Sequence, residues 1–138
     1  MMKKLIMAIL LIILPLLASC APNAPIDNES TPYEDISVET LAGMLEERRE
    51  SFILVNTYTP FEGDIPNTDL SIPFDEISEY LDRLPADKDA EIVLYCRSGN
   101  KSRSAVETLA ELGYTNLKSL DGGFIAWKDA GFPFESEP

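Results

Sequence analysis

At 138 residues, 45% hydrophobic and 25% charged, the chain has room for one domain with an ordinary core and some extra length. Its 24 acids against 11 bases give a formal net charge of −13, which speaks against nucleic-acid binding, because that needs a basic stripe. Histidine is absent, so Ser-His and Cys-His nucleophile pairs and histidine-bearing metal sites are excluded, and the two cysteines, Cys20 and Cys96, cannot build a disulfide framework.

The chain opens with Lys3 and Lys4, then runs apolar from Leu5 to Leu17, too short for a comfortable membrane span. A basic start, a short apolar run and small residues read as a secretory signal. Leu17-Ala18-Ser19-Cys20 resembles the lipobox of bacterial lipoproteins. That resemblance implies that residues 1–19 are a signal peptide cut off before Cys20, whose sulfur then carries a diacylglycerol. It also implies an extracytoplasmic protein, lipid-anchored to the cell membrane or the outer membrane, each buried methylene contributing about 0.8 kcal/mol. Ala21 resembles an outer-membrane sorting signal. Residues 20–32 follow as the lipidated cysteine and a flexible tether, with prolines, asparagines and acids in place of core-formers.

From Tyr33 to Pro138 the pattern is that of a packed domain. Ser37 is placed to cap a helix reaching about Arg49, with Leu41, Met44 and Leu45 on its apolar face. Phe52 to Val55 is a continuous apolar run, as in a buried parallel strand. A long loop with Pro60, Gly63 and Pro66 comes next. Asp75 then caps a predicted second helix whose inner face is Ile77, Leu81 and Leu84. Ile92 to Tyr95 is another buried strand, ending at Cys96. A polar turn leads to a helix from about Lys101 to Leu112, with Ala105, Val106, Leu109 and Leu112 inward and Gly113 closing it. Leu117 to Leu120 is a short strand. Gly122 and Gly123 turn the chain into a helix from about Phe124 to Ala130, which Gly131 and Pro133 end. Alternating helices and buried strands predict an α/β sandwich on a parallel sheet.

The stretch Leu94–Ala105 holds Cys96 with Arg97, Lys101 and Arg103 and no acid. A cysteine where a parallel strand stops and a helix begins lies at the edge where such sheets bind ligands. There, turn amides and the helix's positive end converge on one point and hold an anion. In that field a thiol is expected to have a lowered pKa and exist partly as thiolate. A cysteine at a strand end also serves as a small buried hydrophobe, and the cations then form an ordinary solvated face.

The segment "VLYCRSGNKSRSA" followed by "LDGGFIAWKDAGFP" resembles a rhodanese domain, over roughly Ile36 to Pro133. Three pieces carry the resemblance: the loop Cys96-Arg97-Ser98-Gly99-Asn100, the turn Asp121-Gly122-Gly123, and Trp127 before Gly131-Phe132-Pro133. It implies a rhodanese-like three-layer α/β/α sandwich on a five-stranded parallel sheet. It implies sulfur transfer without metal or organic cofactor: Cys96 takes a sulfane sulfur from thiosulfate, polysulfide or a persulfide, and a thiol or cyanide removes it. Arg97, Ser98, Gly99, Asn100, Lys101 and Ser102 become the loop around the sulfur, with Arg97 and Lys101 meeting an anionic donor and Ser102 capping the helix. Gly122, Gly123 and Trp127 have a structural role in the family.

The match departs from the family pattern in places. Lys101 stands where the family usually has arginine, and keeps the charge without the bidentate fork. Asn56-Thr57-Tyr58 stands where the family often writes Asp-x-Arg, and Asp64-Ile65-Pro66-Asn67 where it often writes His-Ile-Pro-Gly. Phosphatases of this type place arginine six residues after the cysteine, and here that position is Ser102. A different class also fits: some rhodanese-like domains are binding or sulfur-sensing modules without turnover.

Overall fold

The computed structural model describes residues 30–136. The signal-peptide and lipidated-cysteine readings, Cys20 included, lie outside the described residues. In chain order the elements are β1 (Glu34–Ile36), α1 (Val38–Glu47), β2 (Ile53–Asn56), β3 (Gly63–Asp64), β4 (Leu70–Ser71), β5 (Ile92–Tyr95), α2 (Asn100–Glu111), β6 (Leu117–Leu120), α3 (Gly123–Asp129) and β7 (Glu135–Ser136). Five strands form one parallel sheet in the order β1-β6-β5-β2-β4. β3 and β7 make a separate antiparallel pair.

The sheet's central strands are apolar on both sides because both sides are covered. Leu54 of β2 and Val93 and Tyr95 of β5 pack with Leu41 and Met44 of α1 and Phe124 and Trp127 of α3. Val55, Ile92 and Leu94 face the other way, onto Ala105, Val106 and Leu109 of α2. Each fully buried Leu or Ile contributes roughly 1.5–3 kcal/mol, so this alternation fixes the register and the two helix layers together.

Two expectations about helices are corrected. The stretch after Asp75 forms two 3₁₀ turns, Ile77–Glu79 and Leu81–Arg83, where the spacing predicted one α-helix. Ile77 and Leu84 still reach the core. A short segment between Pro73 and Pro85 repays helix nucleation poorly, and 3₁₀ geometry covers more distance per residue. Leu112, assigned to the inner stripe of α2, is 39% exposed. The helix ends at Glu111, and Gly113 beyond it has φ 95°, so the inward direction is lost one residue earlier than the periodicity implies.

Strand order places the site. β2 leads outward to β4, whereas β5 returns on the other side of β2. The carboxyl ends of β2 and β5 therefore border the point where the chain's direction of travel across the sheet reverses. That is where open α/β sheets bind ligands.

Candidate active site

Cys96 follows the last residue of β5 and leads through Arg97 and Ser98, both exposed, into the buried Gly99. Gly99 is the N-cap of α2 with φ 100°, and its N–H donates to Cys96 Sγ at 3.0 Å. A residue with a Cβ is strained at that φ, so the loop needs glycine to turn its amide onto the sulfur. The first turn of α2 has neither a side-chain cap nor an acid. Its leading amides have no carbonyl partner within the helix. The helix thus opens toward the cysteine with its positive end uncapped.

α3 holds the same loop from behind. The Phe124 N–H donates to the Cys96 carbonyl at 2.8 Å, and the Ile125 N–H to the Arg97 carbonyl at 3.1 Å. A Cβ at Gly123 would stand 2.3 Å from the Cys96 carbonyl oxygen and 2.5 Å from that of Arg97. The Gly122-Gly123 turn therefore allows the close approach that fixes the cysteine's backbone. Its role is structural, as the family resemblance implies, and it acts directly on the loop.

Buried polar groups complete the support. Thr57 donates to the Tyr95 carbonyl twice, from its N–H at 2.7 Å and from Oγ1 at 2.9 Å. The Asn56 amide donates to the Gly63 carbonyl and to Asp64 Oδ1, both at 2.9 Å, and its Oδ1 accepts from the Tyr58 N–H at 2.9 Å. The Tyr95 hydroxyl donates to Asp64 Oδ1 at 3.0 Å and accepts from the Ile65 N–H at 3.0 Å. Burial pushes the Tyr95 phenol above its ordinary pKa. Asn56 and Asp64, both departures from the family pattern, are thus bonded to each other. Together they shape the loop from Tyr58 to Asp64 that borders the cysteine loop.

Ser102 is buried and does not cap α2 as expected. Its hydroxyl donates to the Gly99 carbonyl at 3.0 Å and meets Ser119 Oγ of β6 at 2.9 Å. Gly99 already occupies the cap position, one turn earlier. The place where a phosphatase loop carries arginine is therefore filled by a buried serine.

The cations lie differently from the sequence expectation. Lys101 donates from Nζ to the Thr59 carbonyl at 2.8 Å and sits 4.7 Å and 5.3 Å from the ring centres of Tyr58 and Phe74. Arg97 has its Nε 3.6 Å from Glu62 Oε2. Arg103 is drawn to Asp35 at 3.3 Å and Asp121 at 2.8 Å, which raise its pKa through hydrogen bonds and charge. Of the positive charges clustered in the sequence, folding matches the two arginines with acids from other parts of the chain and the lysine with a carbonyl and aromatic faces. Cys96 itself is a free thiol and 1% exposed, so a donor meets the surrounding loops before it meets the sulfur. Among the described residues no group of three His, Cys, Asp or Glu is placed to hold a metal.

The rhodanese-like domain family model matches residues 52–130, which span β2 to the end of α3. The chain belongs to the rhodanese-like domain family. A protein described as a sulfurtransferase from Allochromatium vinosum is 37% identical over 102 residues, covering 72% of this chain and 92% of that protein. Thiosulfate sulfurtransferase GlpE of Ectopseudomonas mendocina is 47% identical over 51 residues, 37% of this chain and 46% of that one. The crystal structure of a rhodanese-related protein from Thermoplasma volcanium superposes with a TM-score of 0.62 at 28% identity, covering 74% of this chain and 97% of that one. Family and relatives support sulfur transfer as the activity.

Within this rhodanese-like site, the residues from Cys96 to Ser102 form one continuous loop and first helical turn. No local pattern marks the Tyr95 hydroxyl, Ser119 or Glu62 as part of the site. These residues become visible only when β2, β5, β6 and the 58–64 loop are brought together. Thr57 could have been found, since a polar residue directly after a buried strand has to find a partner.

Proposed function

We propose that the chain is a lipid-anchored, extracytoplasmic sulfurtransferase in which Cys96 carries the moving sulfur as a persulfide. The observation that carries this reading is the Gly99 N–H aimed at Cys96 Sγ from an uncapped helix start. Such a donor stabilises negative charge on sulfur. In the first half-reaction the Cys96 sulfur attacks the sulfane sulfur of the donor. The donor's S–S bond breaks, its electron pair leaves with the remainder, and the thiol proton goes to water. Cys96 is left as a persulfide, whose outer sulfur is also anionic and lies within reach of the same amides. A thiol or cyanide then attacks that outer sulfur and restores Cys96. Gly99 and the first-turn amides at Asn100, Lys101 and Ser102 cradle the sulfur, while Arg97 and Ser98 form the outer lip.

Mass spectrometry after incubation with polysulfide tests the enzyme reading: Cys96 gains one sulfur atom and the Cys96→Ser protein gains none. The anchor has its own test. Metabolic labelling with a fatty acid should mark the wild-type protein at Cys20, and the Cys20→Ser protein should leave the membrane fraction. An unlabelled wild-type protein in the soluble fraction removes the anchor.

A second reading is supported by the 1% exposure of Cys96: a surface module that binds a partner without turnover. Stoichiometric co-purification of a partner that survives Cys96→Ser, with no sulfur gained by wild type, selects it.

A further inference from the structure

We propose that Glu62 sets the donor's charge, so that the site takes monoanionic sulfane donors with an organic stem in preference to dianionic thiosulfate. The inference rests on the sulfurtransferase reading and names its substrate class. It differs from the donor named for the GlpE relative.

A dianion entering this site needs positive charge at the mouth, and three cations lie near Cys96 in sequence. Each already faces another group of the protein. Arg97 is 50% exposed and faces Glu62, itself 44% exposed, across 3.6 Å. Arg103 is outweighed by Asp35 and Asp121. The Lys101 ammonium is turned onto the Thr59 carbonyl and the faces of Tyr58 and Phe74, where an aromatic ring and a carbonyl supply the partial negative charge an incoming anion would otherwise supply. The Tyr58 hydroxyl stands 3.5 Å from Glu62 Oε1, which helps keep that carboxylate over Arg97. The loop that brings Glu62 to the mouth also carries Phe61, 40% exposed. Among the described residues the other exposed large apolar side chains, Tyr80 and Leu112, belong to the 3₁₀ segment and to the far end of α2. The bordering loop therefore offers an acid and an apolar ring, which repel a compact dianion and accept a donor that spreads one charge over an apolar stem. The formal charge of −13 works in the same direction at longer range.

Thiosulfate and methanethiosulfonate test this with one chemistry and two charges. With either, the Cys96 sulfur attacks the terminal sulfur and the donor's S–S bond breaks. The pair departs with sulfite in the first case and with methanesulfinate in the second, leaving the same Cys96 persulfide. Each kcat/KM is divided by the donor's rate with a free low-molecular-weight thiol, which removes intrinsic reactivity. Wild type is expected to favour methanethiosulfonate by about tenfold, and Glu62→Gln to shift the ratio toward thiosulfate by about three- to tenfold, the size expected from one partly exposed charge. Benzenethiosulfonate should exceed methanethiosulfonate in wild type, and Phe61→Ala should remove that advantage. Glu62 is exposed, so circular dichroism and the thermal midpoint of the variant should match wild type. Equal or better use of thiosulfate by wild type, or a ratio unmoved by Glu62→Gln, overturns the donor assignment while leaving sulfur transfer in place. Transfer from none of the three donors, nor from polysulfide, overturns the sulfurtransferase reading and this assignment with it.

Discussion

The starts of α1 and α2 solve one problem in opposite ways. A helix begins with amides that lack partners inside it. In α1 the Ser37 hydroxyl accepts from the Thr40 N–H at 3.2 Å, and Glu39 puts negative charge in the first turn. That end is closed, and it serves only to start a helix. In α2 the cap is Gly99, with no side chain, no acid in the first turn, and its own N–H spent on Cys96 Sγ. A serine cap stabilises a helix by about 1 kcal/mol, and α2 goes without it. Its helical start is supported instead from outside, by α3 amides on the loop carbonyls and by the Ser102–Ser119 pair. An uncapped end held rigid by neighbours is what an anion site needs. A capped end would compete with the anion.

Substitutions can break this contrast, starting with the strongest. Gly123→Ala drives a Cβ into the carbonyls of Cys96 and Arg97, and a loss of about 3 kcal/mol or more is expected from urea unfolding, with sulfur loading abolished. Gly99→Ala meets only ordinary contacts at 3.4 Å and 3.6 Å, so its cost is backbone strain of about 1–3 kcal/mol. Sulfur loading should fall by at least about tenfold, because relaxing φ turns the amide away from Sγ. Ser102→Ala leaves the buried Ser119 hydroxyl without this partner, for about 1–2 kcal/mol, and adding Ser119→Ala should recover part of it. Ser37→Ala should cost about 1 kcal/mol in thermal unfolding and leave loading per folded molecule as in wild type. The same loss of loading in Ser37→Ala as in Gly99→Ala would erase the distinction between the two helix starts.

The smallest effect concerns an ion pair that belongs to the scaffold alone. Arg48 holds Glu91 with two contacts of 2.5 Å and 3.0 Å and keeps the Glu91 carboxyl below its ordinary pKa, chiefly by hydrogen bonding. A depressed carboxylate stabilises the fold above its unfolded pKa, and this contribution is lost as pH falls through the folded value. Glu91→Gln should therefore be less stable than wild type by about 0.5–1 kcal/mol at neutral pH. The gap should close on acidification below pH of about 4.3, as followed by denaturation midpoints.

What could be read in advance followed from how strong the local pattern was. Ile92–Tyr95 is a short apolar strand and Leu117–Leu120 a short strand with a leucine at each end; both are bounded by turns, and both form where expected. β1 and β4, of 3 and 2 residues, lie at the sheet's edges with exposed positions, so no apolar run marks them; the five-stranded sheet was legible through the family resemblance instead. The predicted helix after Asp75 had the right spacing of Ile77, Leu81 and Leu84, and its anchors pack inward without an α-helix to carry them. The site's order was legible because one loop carries it. Its electrostatics were not: Glu62, Asp35 and Asp121 come from distant parts of the chain, and they take up the charge of Arg97 and Arg103. A window of sequence counts charges, while folding decides which of them remain available.

The most direct test of the sulfur-carrying role is intact-protein and peptide mass spectrometry of the purified domain after exposure to polysulfide and the thiosulfonate donors. A single added sulfur on the Cys96 peptide, removed again by cyanide or a thiol and absent in Cys96→Ser, is the predicted result. A wild-type protein that takes up no sulfur from any of these donors, or a Cys96→Ser protein that takes up as much, contradicts it.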